Sequence, residues 1–375
     1  MIKLSYDKQR VEQARDLRLR WYNGDKIERT PFVFTIRSEI SGAWMQGCPY
    51  NFREVLSDPV KAVEGNILSI QHQLDSFPDC DYLPSMNLFY FGEGILASMY
   101  GAEQYIVEDN PPYTKGRIIK DIYETECLSN DFEIEDTEWG SRLKEHIQRF
   151  VDATDGEIPV NVADYQSPYG TATKLLPNEE LMLAMYDAPE LVHRLLDITT
   201  NGIIKLIDAM ERWVGAERIA RNIKNPIPGS CGVILWDDYI SVLNPDLHTA
   251  FCAPYNKILF EKYGYGHLHT CGPYFPRFIE ACLECEPRSM DISIMRGMGK
   301  TREDMLSLLK AASERDIRLF GSLASNDQSI FDSGAREPDD ELMERFIGGG
   351  YMPMGEGSYE QGIKFKEMVG RIGGG

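Results

Sequence analysis

The chain has 375 residues, of which 43% are hydrophobic and 26% charged, and its formal net charge is −20. That balance suits a folded α/β enzyme with one large core or two ordinary ones. It excludes nucleic acid and an anionic membrane surface as partners, since both require clustered Lys and Arg.

No apolar run reaches the roughly 18–20 residues of a transmembrane helix. The opening residues, Met1-Ile2-Lys3-Leu4-Ser5-Tyr6-Asp7, lack the apolar core of a secretory signal. Eight cysteines scattered over so long a chain fit reduced thiols in a cytoplasmic protein better than a disulfide framework.

Residues 5–22, rich in Arg, Glu and Leu, predict an N-terminal helix. Segments of strand character then recur at 31–36, 81–88, 157–164, 218–224, 265–270, 289–294, 317–323 and 351–355. Residues 103–140 are acidic and carry the turn Asn110-Pro111-Pro112, which predicts an inserted hairpin or cap. Residues 178–186 predict a helix opened by an Asn178 cap, with Glu179 and Glu180 suited to its first turn. Residues 189–213 place Leu191, Leu195, Leu196, Ile203, Ile204 and Ile207 at helical spacing. Residues 275–284, 301–314 and 338–347 predict further helices. Eight strand segments alternating with helices predict a single (β/α)8 TIM barrel over 1–375, with an N-terminal helical extension. The doubly wound sheet is disfavoured, because no Gly-rich phosphate loop follows the first segment.

In such barrels the active site lies at the carboxyl-terminal ends of the strands. Asp164, Asn222 and Lys224 fall there, as do Asp237, Asp238, Asp291 and Ser322. The sharpest signal is His269-Thr270-Cys271-Gly272. Residues two apart in a strand face one side, so the imidazole and the thiolate converge as half of a zinc site. Catalytic zinc takes about three protein ligands and keeps one position open. Glu356, flanked by Gly355 and Gly357, is the expected third ligand. Against this, an isolated His-x-Cys pair is most often two semi-buried side chains on a strand. Cys282 and Cys285 share a helix face and read as packed apolar residues. His267 reads as a packed barrel histidine. Trp44, Phe89, Tyr90, Phe91, Tyr165, Tyr169 and Trp236 crowd the strand-to-helix loops and can line a flat apolar pocket.

Several segments together resemble the uroporphyrinogen decarboxylase-like superfamily. They are Ile27-Glu28-Arg29-Thr30-Pro31-Phe32, the run 184–192, and Trp236-Asp237-Asp238 with Leu243-Asn244-Pro245. Ala253-Pro254-Tyr255, His269-Thr270-Cys271-Gly272 and Gly321-Ser322-Leu323 complete the set. The resemblance implies a (β/α)8 barrel. Its decarboxylase branch grips substrate carboxylates with an Arg-bearing motif that Phe34-Thr35-Ile36-Arg37-Ser38-Glu39 does not match. Its other branch comprises zinc methyltransferases that work with corrinoid (cobalamin) proteins, and it carries His-x-Cys at the fifth strand. That branch commonly has a further Cys after the last strand, and here no Cys follows Cys285. One thiolate with a carboxylate makes a harder zinc than two thiolates, suited to polarising an ether oxygen.

The resemblance therefore implies methyl transfer from a methoxylated aromatic compound to a corrinoid protein. His269, Cys271 and Glu356 are expected to hold zinc. Asp164, Asn222 and Asp237 are expected to bind or orient substrate, with Tyr165, Trp236 and Phe89 as pocket walls. Transfer from a methylcorrinoid to a thiol of the coenzyme M type is the alternative, followed by a uroporphyrinogen-type decarboxylation. A homodimer is the expected assembly.

Overall fold

The computed structural model describes residues 3–229, 231–270, 276–293, 302–322, 345, 347 and 351–373. Cys271, and all but two positions of the predicted 338–347 helix, lie outside them. Eight parallel strands are described: β1 (Val33–Ile36), β2 (Val160–Asn161), β3 (Ile219–Ala220), β4 (Val233–Trp236), β5 (Gly266–His269), β6 (Ser289–Ser293), β7 (Arg318–Ser322) and β8 (Tyr351–Gly357). Six of them form one sheet in the order β1-β8-β7-β6-β5-β4, and β2 pairs with β3. The ring closes through single contacts: a bridge from Met86 to Val160, Asp81 N donating to Phe32 O, and Ile234 N donating to Arg221 O. Helices wrap this ring as a TIM barrel.

Strands of a parallel barrel have both faces buried, which favours apolar runs. Val233-Ile234-Leu235-Trp236 is buried at every position. It is the strand that the sequence reading does not contain, since so short an apolar run carries no period of its own. Conversely, the predicted 81–88 segment contributes one bridge, and 218–224 contributes only Ile219–Ala220. Residues 221–229, with 231 and 232, instead lie outside any strand between β3 and β4. The N-terminal helix α1 (Lys8–Asn23) pins that loop. Its buried Arg18 donates to the Asp81 and Lys224 carbonyls, and Tyr22 Oη donates to Cys231 O at 3.4 Å. Gly232 then turns the chain into β4 with φ of +63°. A Cβ there would lie 2.0 Å from Tyr265 O, so only glycine fits.

Helix starts follow the expected chemistry. Asp7 caps α1, and Asn51 with Glu54 forms a capping box on Phe52–Ser57. Asn178 departs from its predicted role. It is the first helical residue, behind Pro177, and its amide oxygen accepts from Tyr169 Oη. Within 103–140, Gln104–Tyr105 pairs with Tyr113–Thr114 as a hairpin, and two 3₁₀ turns follow. A second hairpin joins Ser41–Gly42 to Met45–Gln46. No described helix is long and apolar enough to cross a membrane. Cys282 and Cys285 are buried free thiols.

Candidate functional site

The strand register sets Trp236, His269 and Asp291 at one level of the barrel wall. His269 ends β5 and Asp291 is the third residue of β6, so their side chains emerge as neighbours. His269 Nδ1 lies 2.7 Å from Asp291 Oδ2, and Nε2 lies 3.6 Å from Asp238 Oδ1. Lys224 Nζ, carried in on the loop after β3, holds the same Asp291 oxygen at 2.8 Å. Burial pushes the Asp291 pKa up. Lys224 and the His269 hydrogen bond outweigh it and hold this carboxyl far below the usual carboxylate range. Asp291 therefore stays ionised, orients the ring and leaves Nε2 facing Asp238.

Asp164 follows β2 and feels the opposite balance. Burial raises its pKa to about 6, a hydrogen bond from Gln166 opposes the shift, and Glu93 and Asp238 add to it. Two residues before His269 on β5, His267 is fully buried with Nδ1 2.9 Å from Ser289 Oγ, and burial lowers its pKa to about 3. It is neutral and structural.

The remaining candidates separate into site and scaffold. Asp237, expected to meet substrate, is instead fully buried. Its Oδ2 accepts from His248 Nε2 at 3.0 Å and Asn256 Nδ2 at 2.8 Å, and its backbone N–H donates to His269 O. Its neighbour Asp238 takes the place beside His269. Asn222 is also spent on structure, bonding Cys231 O and the N–H groups of Lys224 and Asn225. Tyr165 is core, with its hydroxyl donating to Ile234 O at 2.7 Å. Trp236 is wedged edge-on between Tyr165 and Phe89. Of the three expected walls, Phe89 lines the cavity at the barrel mouth. Glu356 is half exposed on β8, and its Oε1 accepts from Arg37 Nε at 3.2 Å and Gln46 Nε2 at 3.5 Å. Among the described residues no three His, Cys, Asp or Glu side chains converge as a metal site.

A cavity of about 230 Å³ opens at the barrel mouth; it is not lined by His269, Asp291 or Asp238, and it meets their surroundings through Ile223, next to Lys224, and Phe89, which packs on Trp236. Thr35 and Asn161 line it from β1 and β2, Gln73 from the helix over Pro59–Ser76, and Trp44, Phe89 and Ile223 from the loops. Sequence reasoning missed Gln73 and Asn161, because a polar residue on a buried helix or strand has no motif around it.

A parallel barrel with an oriented histidine and carboxylates gathered at the carboxyl ends of its strands is built as a TIM-barrel enzyme. The chain belongs to the uroporphyrinogen decarboxylase (URO-D) family, which matches residues 13–294. Among solved structures it is similar to a methyltransferase from Methanosarcina mazei. The two share 13% identity at a TM-score of 0.66, over 96% of this chain and 98% of that one. At that identity the likeness shows the fold. No curated protein sequence is significantly similar to the chain.

Proposed function

We propose that the protein is a zinc-dependent methyltransferase that moves a methyl group from a methoxylated aromatic compound to the cobalt of a corrinoid protein. The observation that carries this reading is His269, fixed through Nδ1 by Asp291 and presenting Nε2 3.6 Å from Asp238 Oδ1. Two ligands on a tetrahedral zinc with bonds of about 2.0–2.1 Å stand about 3.4 Å apart. The Nε2 to Oδ1 spacing fits two neighbouring ligands of one such ion. Cys271, two residues further on, is the third donor the chain offers. The contact from Asp291 to Nδ1 is the outer-shell bond that sets the tautomer of a metal-binding histidine. Asp238 thus stands where the sequence favours Glu356, whose carboxylate is engaged by Arg37 and Gln46.

Zinc held there supplies a Lewis acid for the ether oxygen of the donor. The corrinoid supplies the nucleophile that accepts the methyl group. The chain's own residues orient and insulate. Asp291 and Lys224 keep the proton on His269 Nδ1, and Phe89 and Trp236 keep bulk water from the floor of the mouth. Lys224, Lys174 and Arg37 are each paired with a carboxylate. The described mouth therefore offers no cluster of unpaired cations for an acid-rich tetrapyrrole, which counts against decarboxylation.

The test is metal content by mass spectrometry on wild type, Cys271→Ala, Asp238→Asn and Glu356→Gln. About one zinc per chain is expected in wild type, lost with Cys271→Ala and Asp238→Asn and kept with Glu356→Gln. Methyl transfer from 2-methoxyphenol to a reduced corrinoid protein should then require the zinc. No zinc after reconstitution overturns the reading. Thiol methylation without aryl ether cleavage replaces it with the coenzyme M type.

A further inference from the structure

We infer that the 230 Å³ cavity at the barrel mouth is the pocket for an uncharged, single-ring compound, hydrogen-bonded by Gln73 and Asn161 and covered by Trp44. The inference rests on the methyl-donor reading above and narrows its substrate class.

Size comes first. The cavity is smaller than the roughly 300–1,000 Å³ pockets that enclose drug-sized ligands. It has room for one ring with small substituents and none for a tetrapyrrole.

Charge comes next. Among the described residues no Asp, Glu, Lys, Arg or His lines the cavity. A carboxylate placed there would lose its hydration without gaining a cation, which is costly. The ligand is therefore neutral at the end that enters.

Polarity completes the class. Gln73 and Asn161 are each more than nine-tenths buried, and both line the cavity. Gln73 Nε2 and Asn161 Oδ1 have no hydrogen-bond partner. Buried polar atoms are otherwise almost always paired, so two orphaned amide atoms on side chains that line one small cavity mark it as a place for a ligand's polar group. A hydroxyl or ether oxygen accepts from Gln73, and a hydroxyl donates to Asn161. Neighbouring Asn66 makes a contrast, since its amide is spent on Ala62 O and Asn87 N.

Trp44 supplies the cover. It is 61% exposed, at the cavity mouth, in a two-residue hairpin turn where Ala43 and Trp44 have φ of +49° and +57°. Such turns favour Asn and Gly, and a large exposed aromatic there is held against its backbone preference. Its indole packs edge-on against buried Phe52, at 5.2 Å and 88°, on the rim of the cavity that it lines. Strain and exposure at a cavity mouth together mark a residue kept for contact with a ligand.

The test is calorimetric titration of the full-length chain with 2-methoxyphenol and with 4-hydroxy-3-methoxybenzoate, which carries a carboxylate. The neutral probe is expected to bind at least about tenfold more tightly. Gln73→Met and Asn161→Leu are each expected to weaken it about tenfold, with melting temperatures that hold or rise, because each removes an orphaned buried polar atom. Trp44→Gly, which suits the positive φ, should weaken binding without lowering the melting temperature. Equal or tighter binding of the benzoate overturns the inference, as does unchanged binding in all three variants or no binding of either probe. Tight binding of 2-methoxyphenol without methyl transfer keeps the pocket and overturns the methyltransferase reading instead.

Discussion

Asp291 decides what His269 can do. It is a carboxylate whose pKa burial pushes up, held ionised by Lys224 and by the imidazole itself. Asp291→Asn keeps the shape and removes the charge. Zinc affinity is expected to fall about 10–100-fold, the usual cost of losing an outer-shell partner, and chelator competition measures it. Unchanged affinity would mean that Asp291 does not set the ring. The same scale explains why Asp237 and Asp238 part company. Successive residues after a strand point apart, so one carboxylate is buried against His248 and Asn256 while the other reaches the mouth. An Asp-Asp pair in a sequence carries no mark of which is which.

At the scale of elements, two joints carry the barrel. Arg29 donates twice to Asp81, at 2.7 and 2.6 Å, and Phe32 N donates to the same carboxylate. This knot ties the entry of β1 to the segment leading to Met86, and it gives Arg29 in the family-like run 27–32 a structural purpose. Asp81→Ala should cost about 3 kcal/mol, from the lost pair and an unpaired buried N–H, read as a lower urea midpoint. The second joint is Gly232. Gly232→Ala combines a positive φ with a clash against the Tyr265 carbonyl. Each effect costs about 1–3 kcal/mol. Unfolding at a lower denaturant concentration is expected, and near-UV circular dichroism should report a disturbed Trp236.

At the scale of the whole molecule, stability should depend on pH through buried His146. It lies against the rings of Tyr90 and Phe91, with Nδ1 3.1 Å from Tyr90 Oη. Burial pushes its pKa down to about 3, and Arg142 adds to the shift. The folded value lies below the unfolded 6.5, so the unfolded chain takes the proton first. This contribution is complete above about pH 6.5 and is lost as pH falls towards 3. The slope is about 1.4 kcal/mol per pH unit, or about 2 kcal/mol by pH 5. Urea titrations of wild type and His146→Gln should converge between pH 7.5 and 5. A gap that stays constant over that range would mean that His146 does not titrate this way.

Periodicity, caps and the His-x-Cys spacing are local properties, so the sequence alone determined the features that rest on them. The helices over 189–213 and 301–314, the alternating barrel plan and the placing of His269 at a strand end were legible on that basis. Pairing is not local. Val233–Trp236 becomes a strand only because Gly266–His269 lies beside it, and Lys224 enters the site only because α1 pins its loop. Glu356 looked free between two glycines, and a cation on the facing loop claims it. Gln73 and Asn161 gain their meaning from a cavity whose walls come from six separate stretches of chain. Burial and charge partners depend on which segments meet, and only the tertiary structure decides that.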